Sequence, residues 1–252
     1  MSVLGIIPAR LGGKRLPDKV LLAETGHPLI RHVWNQAKKC KTIDDLLVAC
    51  EVSDYTHGFR DGPQWTENAL TKACIVHGIT RFCTGYSDTG TDRCAWVAAR
   101  LENFDIVVNI QADQPLLNPA HVDACVQRLA ETPGLDIATP ITFPLPHKYF
   151  ANTNVVKCRP SLGLAVEFYR GWKADERVGR HLGIYAYRRE CLLHLASVPQ
   201  SWEEERESLE QIRFIREGCR IGAVVVADAE EDVNTREDYD NFVARWRELN
   251  PT

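Results

Sequence analysis

Much that would assign a chemistry at once is missing from these 252 residues. None of the nine cysteines forms a CxxC pair, and the eight histidines make no HExxH or HxxxH pattern. A zinc site of the usual ligand spacing is therefore not expected. The cysteines lie mostly inside apolar runs such as "LLVAC" and "ITRFC", which reads as buried free thiols in a reducing compartment. GxGxxG is absent. GxxxxGK[ST] fails as well, because Pro8 stands at its first glycine and Arg15 follows Gly13-Lys14. "GYSDTG" is no nucleophile elbow, since Thr89 occupies a required glycine position. No apolar run approaches the length of a membrane span, and residues 3–7 are too short for a signal-peptide core. The expectation is a cytoplasmic protein without a membrane partner. Positive charge is not in excess either: the formal net charge is -4, which argues against a nucleic-acid binder.

What is present is a rhythm. Strand-length apolar runs ("VLGII", "DLLVAC", "ITRFC", "DIVVNIQAD", "DIATPITF") alternate with segments of helical period, among them "PLIRHVWNQAKKC", "TDRCAWVAARLE" and "PAHVDACVQRLAE". That order predicts an α/β fold, a mostly parallel sheet with helices on both faces. After Phe143 the character becomes α+β, predicting a small lobe or flap over roughly 144–200. "EEERESLEQIRFIREG" reads as one amphipathic helix with Leu209, Ile212 and Ile215 on its apolar side. "IGAVVVA" reads as a core strand, and a final helix starts at the capping pair Thr235 and Asp238. The stretch 51–64 fits no period and reads as a loop.

Two stretches carry chemistry. "PARLGGKRLPDK", at 8–19, follows the first strand with Arg10, Lys14, Arg15 and Lys19 around two glycines. Open α/β sheets bind ligands beyond the carboxyl ends of their strands. Four cations there could neutralise a triphosphate, with glycine letting backbone N–H groups approach. A basic surface loop is the plainer alternative. In "QADQP", Asp113 arrives at the end of a buried strand. A single carboxylate so placed suits Mg²⁺, which takes one or two carboxylates together with phosphate oxygens and water. A turn cap is the plainer alternative there.

Taken together, these stretches resemble the sugar nucleotidyltransferases, and four further motifs narrow the match. "TGTDRCAWVA" resembles an "SGTER" helix start, "HLGIYAYRR" matches a hallmark nearly letter for letter, "LEQIRFIREGCRI" resembles an "LEQLR" helix, and "VNTREDY" resembles "VDTPEDL". All are features of the 3-deoxy-manno-octulosonate (Kdo) cytidylyltransferase family, and they run in family order from residue 3 to about 245.

The resemblance implies a Rossmann-like fold of the nucleotide-diphospho-sugar transferase type, one nucleotidyltransferase domain over 1–252, and a homodimer. It implies transfer of CMP from CTP to an acidic sugar, most simply Kdo, for lipopolysaccharide-type glycan synthesis, with Mg²⁺ as cofactor. Ala9, Arg10, Lys19, Thr89, Gly90, Thr91, Gln111 and Ala112 would meet the nucleotide. Arg10, Arg15, Lys19 and Asp113 would serve catalysis. Gln111, His181, Tyr185, Glu210 and Gln211 would line the sugar pocket, with Arg170 or Arg180 on its carboxylate. Asp113 would hold the metal.

Three positions depart from the pattern. Asn234 stands where the family has a second metal aspartate, Gln114 replaces the glutamate of "QGDEP", and Gly13 replaces a serine. Asp232, two residues before Asn234 and on the same side of an extended chain, is an alternative metal ligand. If Asn234 does belong to the metal shell, aspartate there should lower the Mg²⁺ requirement. The departures keep two other readings open. One is a diverged homologue that binds CTP or a sugar acid with little turnover. The other is a transferase for a related acid, amino-Kdo or sialic-type, although "HLGIY" argues against the sialic type.

Overall fold

The structure, a computed structural model, describes residues 1–251 apart from 14, 53–55, 59–61, 65, 172–176 and 228–230. Lys14 of the basic loop and part of the irregular stretch after residue 51 thus lie outside the described residues.

The first half of the chain alternates as its apolar rhythm predicts. In order come β1 (Val3–Ala9), α1 (Leu29–Ala37), β2 (Asp45–Glu51), β3 (Thr56–Gly58) and β4 (Gly62–Gln64). There follow α2 (Ala69–Val76), β5 (Arg81–Thr84), α3 (Gly90–Ala98), β6 (Ile106–Asn109), α4 (Pro119–Glu131) and β7 (Ile137–Thr142). The antiparallel pair β3–β4, inside the stretch that lacked a period, and a short 3-10 turn at Lys19–Leu21 are unforeseen here.

The second half supplies β8 (Lys157–Ser161), β9 (Leu164–Tyr169), β10 (Gly179–His181), β11 (Tyr185–Arg188) and α5 (Arg189–Ser197). It ends with α6 (Trp202–Glu207), α7 (Gln211–Arg216), β12 (Ile221–Val226) and α8 (Arg236–Leu249).

Ten strands join in one sheet of order β10-β8-β9-β12-β7-β11-β6-β1-β2-β5. β5, β2, β1 and β6 are parallel neighbours, as are β7 and β12. β11 is wedged antiparallel between β6 and β7. Because it runs backwards, its first residue, Tyr185, lies opposite Asn109 at the carboxyl end of β6. β10 likewise sets His181 beside Ile141, near the carboxyl end of β7. The "HLGIY" motif therefore reaches the same sheet edge as the loop leaving β1, the edge where open α/β sheets take their ligands.

Helices cover both faces. Ile30, Val33, Leu70, Cys74, Val122 and Leu129 of α1, α2 and α4 pack in one core. Cys94, Val97, Leu192, Leu195 and Phe214 of α3, α5 and α7 pack in the other. α8 leans on α1 through Leu29, Tyr239 and Phe242, and starts in the expected capping box of Thr235 and Asp238.

One expectation is corrected. The "EEERESLEQIRFIREG" stretch is two helices, not one, because Ser208 adopts a left-handed φ of 51°. Within a continuous helix the carbonyls of Glu207 and Ser208 would accept from N–H groups four residues on. Here they accept from Arg170 instead, at 3.2 and 3.3 Å. The break swings the chain so that Phe214 is buried, Ile215 is exposed, and Glu210 and Gln211 open α7 facing the cleft.

Candidate active site

A cleft of about 840 Å³ runs along the carboxyl edge of the sheet, lined among others by Arg10, Arg15, Gln111, Asp113, His181, Tyr185, Glu210 and Gln211. A hollow of about 550 Å³ adjoins it, lined by Ala9, Arg10, Arg15, Lys19, Thr89, Gly90 and Ala112. Nearly every residue singled out from sequence thus meets in one place, split between a cationic mouth and a hydroxyl- and amide-rich interior.

At the mouth, three chain segments are tied together. The Lys19 ammonium donates to Asp113 Oδ2 and to the Val233 carbonyl, both at 2.8 Å. The Val233 N–H donates to the Asp113 carbonyl at 2.8 Å. Arg15 donates to Asn154 Oδ1 at 3.0 Å and to Asn234 Oδ1 at 2.9 Å. Arg10 is exposed beside them. Thr89 caps α3, its hydroxyl and the Asp92 carboxylate forming a capping box. Gly90 opens that helix, so its N-terminus looks into the hollow, a polarity suited to anions.

Thr91 sits below the cleft wall instead of lining it. It is fully buried and its hydroxyl bonds Glu210 Oε2 at 2.7 Å and the Tyr187 hydroxyl at 3.0 Å. What the structure shows of Thr91 is support of Glu210 from beneath the cleft.

Within the interior, Gln111 Nε2 donates to the Gly183 carbonyl at 3.0 Å. Gly183 has φ 72°, and a Cβ there would stand 3.3 Å from Gln111 Cγ, so the glycine of "HLGIY" serves both the turn and the close approach. Tyr185 is buried and accepts from Gln211 Nε2, while among the described residues Gln211 Oε1 has no partner and remains an acceptor at the cleft wall. His181 is held through Thr139, whose hydroxyl donates to the Ile184 carbonyl at 2.6 Å. That hydroxyl must then accept from His181 Nε2–H, 2.8 Å away, which fixes the neutral tautomer. Burial, with Arg170 nearby, pushes the imidazole down to about 3, so it stays neutral at physiological pH.

Glu210 moves the other way. Burial pushes its carboxyl up to about 7, against the opposing pull of the Thr91 hydroxyl and Arg213. A folded-state pKa above the unfolded one means that ionised Glu210 costs stability above pH 7 and that the cost is relieved as pH falls towards 4.5. Glu210→Gln should thus be more stable than the parent at pH 8, and its advantage should shrink by about 1–2 kcal/mol on going to pH 5.5. Urea denaturation of both proteins at the two pH values measures this; a difference independent of pH would count against it.

The two arginines considered for a sugar carboxylate are both engaged. Arg170 donates to four backbone carbonyls, those of Thr153, Asn154, Glu207 and Ser208. Arg180 is buried with NH1 3.4 Å from Glu231 Oε2.

For a divalent cation the donors are few. Among the described residues no group of three or more His, Cys, Asp or Glu side chains is arranged to hold a metal. Asp232 has its carboxyl pushed up to about 7 by burial and then by the charge of Asp113, which places the two carboxylates within each other's field. Asp113 and Asp232, both lining the cleft, are donors of the type Mg²⁺ takes, one or two carboxylates together with phosphate oxygens and water. Gln114 donates to Asp232 Oδ1 at 2.9 Å, a neutral neighbour where glutamate would add a third charge. Asn234 turns its Oδ1 to Arg15, from which it accepts at 2.9 Å. Asn154 has no counterpart among the residues read from sequence; no charge or period marks it.

Fold and cleft together define a nucleotidyltransferase-type α/β protein. A family model described as Cytidylyltransferase matches residues 4–221. The chain is 30% identical to a 3-deoxy-manno-octulosonate cytidylyltransferase of Geobacter sulfurreducens, over 98% of this chain and 100% of the relative. It is 34% identical to that of Acidobacterium capsulatum, covering 94% and 96%. Among solved structures, CMP:2-keto-3-deoxy-manno-octonic acid synthetase complexed with CTP superimposes with a TM-score of 0.86 at 28% identity, over 99% of this chain and 100% of that one. The chain belongs to the 3-deoxy-manno-octulosonate cytidylyltransferase family.

Proposed function

We propose that this protein transfers CMP from CTP to a 3-deoxy-2-ulosonic acid, Kdo, releasing pyrophosphate. The observation that carries the reading is the cleft with its adjoining hollow: guanidinium and ammonium groups gather where they meet, and hydroxyl-seeking amides, a neutral histidine and a tyrosine line the cleft's interior.

Arg10, Arg15 and Lys19 neutralise the triphosphate, the arginines with planar forks and Lys19 as a point charge. The N-terminus of α3 and Gln111 receive the nucleoside side. His181, Tyr185, Gln211 and Glu210 orient the sugar so that its anomeric hydroxyl faces the α-phosphorus, and positioning and charge neutralisation supply most of the rate. Mg²⁺ is proposed as the cofactor, held by Asp113 with Asp232 beside it, and when bound it polarises phosphate oxygens and acidifies the attacking hydroxyl. Lys19, paired with Asp113 at 2.8 Å and at the edge of the same hollow, would be within the mouth to meet the phosphates. A homodimer, as in the family pattern, belongs to the same proposal. Among the described residues no helix is long and apolar enough to cross a membrane.

The test is pyrophosphate release with CTP, Mg²⁺ and, in separate reactions, Kdo, an amino-Kdo and a sialic acid. Release with Kdo is expected to dominate. Release only with another acid would move the substrate assignment, and none with any acid, while calorimetry still shows CTP bound, would leave a binding protein.

A further inference from the structure

Asn234 and Asn154 have a use that the metal reading of the site does not supply. A guanidinium has only donors, so both amides must turn their oxygens to it, as they do at 2.9 and 3.0 Å. Each asparagine is itself anchored through its backbone. The Asn154 N–H donates to Asn152 Oδ1 at 2.8 Å, and its carbonyl accepts from Arg170 at 3.2 Å. The Asn234 N–H donates to Asp238 Oδ2 at 2.9 Å, within the capping box that starts α8. Arg15 thus bridges the loop after β1, the segment before β8 and the turn before α8.

Among the described residues two of its five N–H groups are engaged, one on each terminal nitrogen, which leaves further donors on the same fork to turn to a ligand. The chemistry of the holders matters: a carboxylate at either position would hold Arg15 equally well but neutralise it, whereas an amide leaves its full charge. We infer that Asn154 and Asn234 are positioning residues that hold Arg15 across the cleft mouth with its charge intact for a polyphosphate, and that Asn234 is not a metal ligand. This rests on the assignment of the mouth to the triphosphate of CTP.

The experiment is a double-mutant cycle. Asn154→Asp and Asn234→Asp are each made alone and with Arg15→Gln. Binding of CTP, and separately of inorganic tripolyphosphate, is measured by calorimetry in EDTA. Each aspartate should weaken binding about tenfold when Arg15 is present and no more than about twofold when it is replaced, with the gap closing at high salt. Asn154→Asp guards the result, because Asn154 belongs to neither the Asp113 strand nor the "VNT" turn. Equal losses with and without Arg15 would show plain charge repulsion and overturn the inference. So would an Asn234→Asp protein that binds CTP normally in EDTA but needs less Mg²⁺ for half-maximal effect. Tripolyphosphate separates this outcome from the proposed function: if the cytidylyltransferase reading fails, the cycle on tripolyphosphate still reports on Arg15.

Discussion

Asp113→Asn will slow pyrophosphate release by about three orders of magnitude, roughly 4 kcal/mol of transition-state stabilisation. The change is nearly isosteric and leaves the backbone joint with Val233 in place. What it removes is the partner of Lys19 and the carboxylate whose field reaches Asp232. CTP binding without Mg²⁺ should therefore be kept or tightened severalfold, since one negative charge leaves the mouth and the Lys19 ammonium, still held by the Val233 carbonyl, loses its counter-charge. The split between turnover and ground-state binding is the informative readout. Single-turnover kinetics with calorimetry in EDTA supplies it. A variant that retains a tenth of the parental rate would remove Asp113 from the reacting centre.

The same variant probes the Asp113–Asp232 pair. Asp232 is pushed up by burial and by Asp113, and a neutral residue at 113 removes the second cause. The Mg²⁺ dependence of CTP binding should then flatten, because one carboxylate held by Gln114 attracts a dication less than two carboxylates do. Undiminished Mg²⁺ dependence would place the metal elsewhere.

Much of this arrangement is legible in the sequence because its elements are local. β1, α4 and the Thr235–Asp238 start of α8 follow from period, a proline at the first turn and a capping pair, all set within a few neighbouring residues. The cationic loop and Asp113 are visible as strand ends, and motif order carries His181, Tyr185, Glu210 and Gln211 into the same cleft. What escapes is set by partners far along the chain. The helix break at Ser208 depends on Arg170, 38 residues away, capturing its carbonyl. Thr91 leaves the cleft surface because Glu210 and Tyr187 claim its hydroxyl from 119 and 96 residues away. Asn154 finds Arg15 across 139 residues. No period or propensity encodes such pairings; only the closed topology of the sheet brings them together.

Removing Arg213 should be the most destabilising single change in the sugar half. Its guanidinium is 3% exposed and lies between α3, α5 and α6. It donates to Asp92 Oδ1 at 3.1 Å and to the carbonyls of Leu195 and Val198 at 3.1 and 3.2 Å, and it sits 3.3 Å from Glu204 Oε1. Glu204 is 2% exposed, and among the described residues neither of its carboxylate oxygens has a hydrogen-bond partner. Burial raises its pKa and Arg213 is the first influence holding it down. Arg213→Met keeps the length of the side chain but leaves Glu204 uncompensated, an error worth about 3–5 kcal/mol. For a chain of this size that should lower the Tm by about 10 °C. The sign of its pH dependence is fixed. With Arg213 gone the folded-state pKa of Glu204 rises further, so protonation rescues the fold, and the deficit must shrink as pH falls from 8 towards 5. Adding Glu204→Gln should recover a large part of the loss at pH 8 and little at pH 5, a coupling that separates charge burial from lost packing. Chemical denaturation of the four proteins at both pH values decides it. A deficit below about 1 kcal/mol, or one equal at both pH values, would mean that Arg213 acts through packing alone. Because Arg213 lies in the helix that Gln211 opens, turnover of Arg213→Met should fall with its stability even at temperatures where it remains folded.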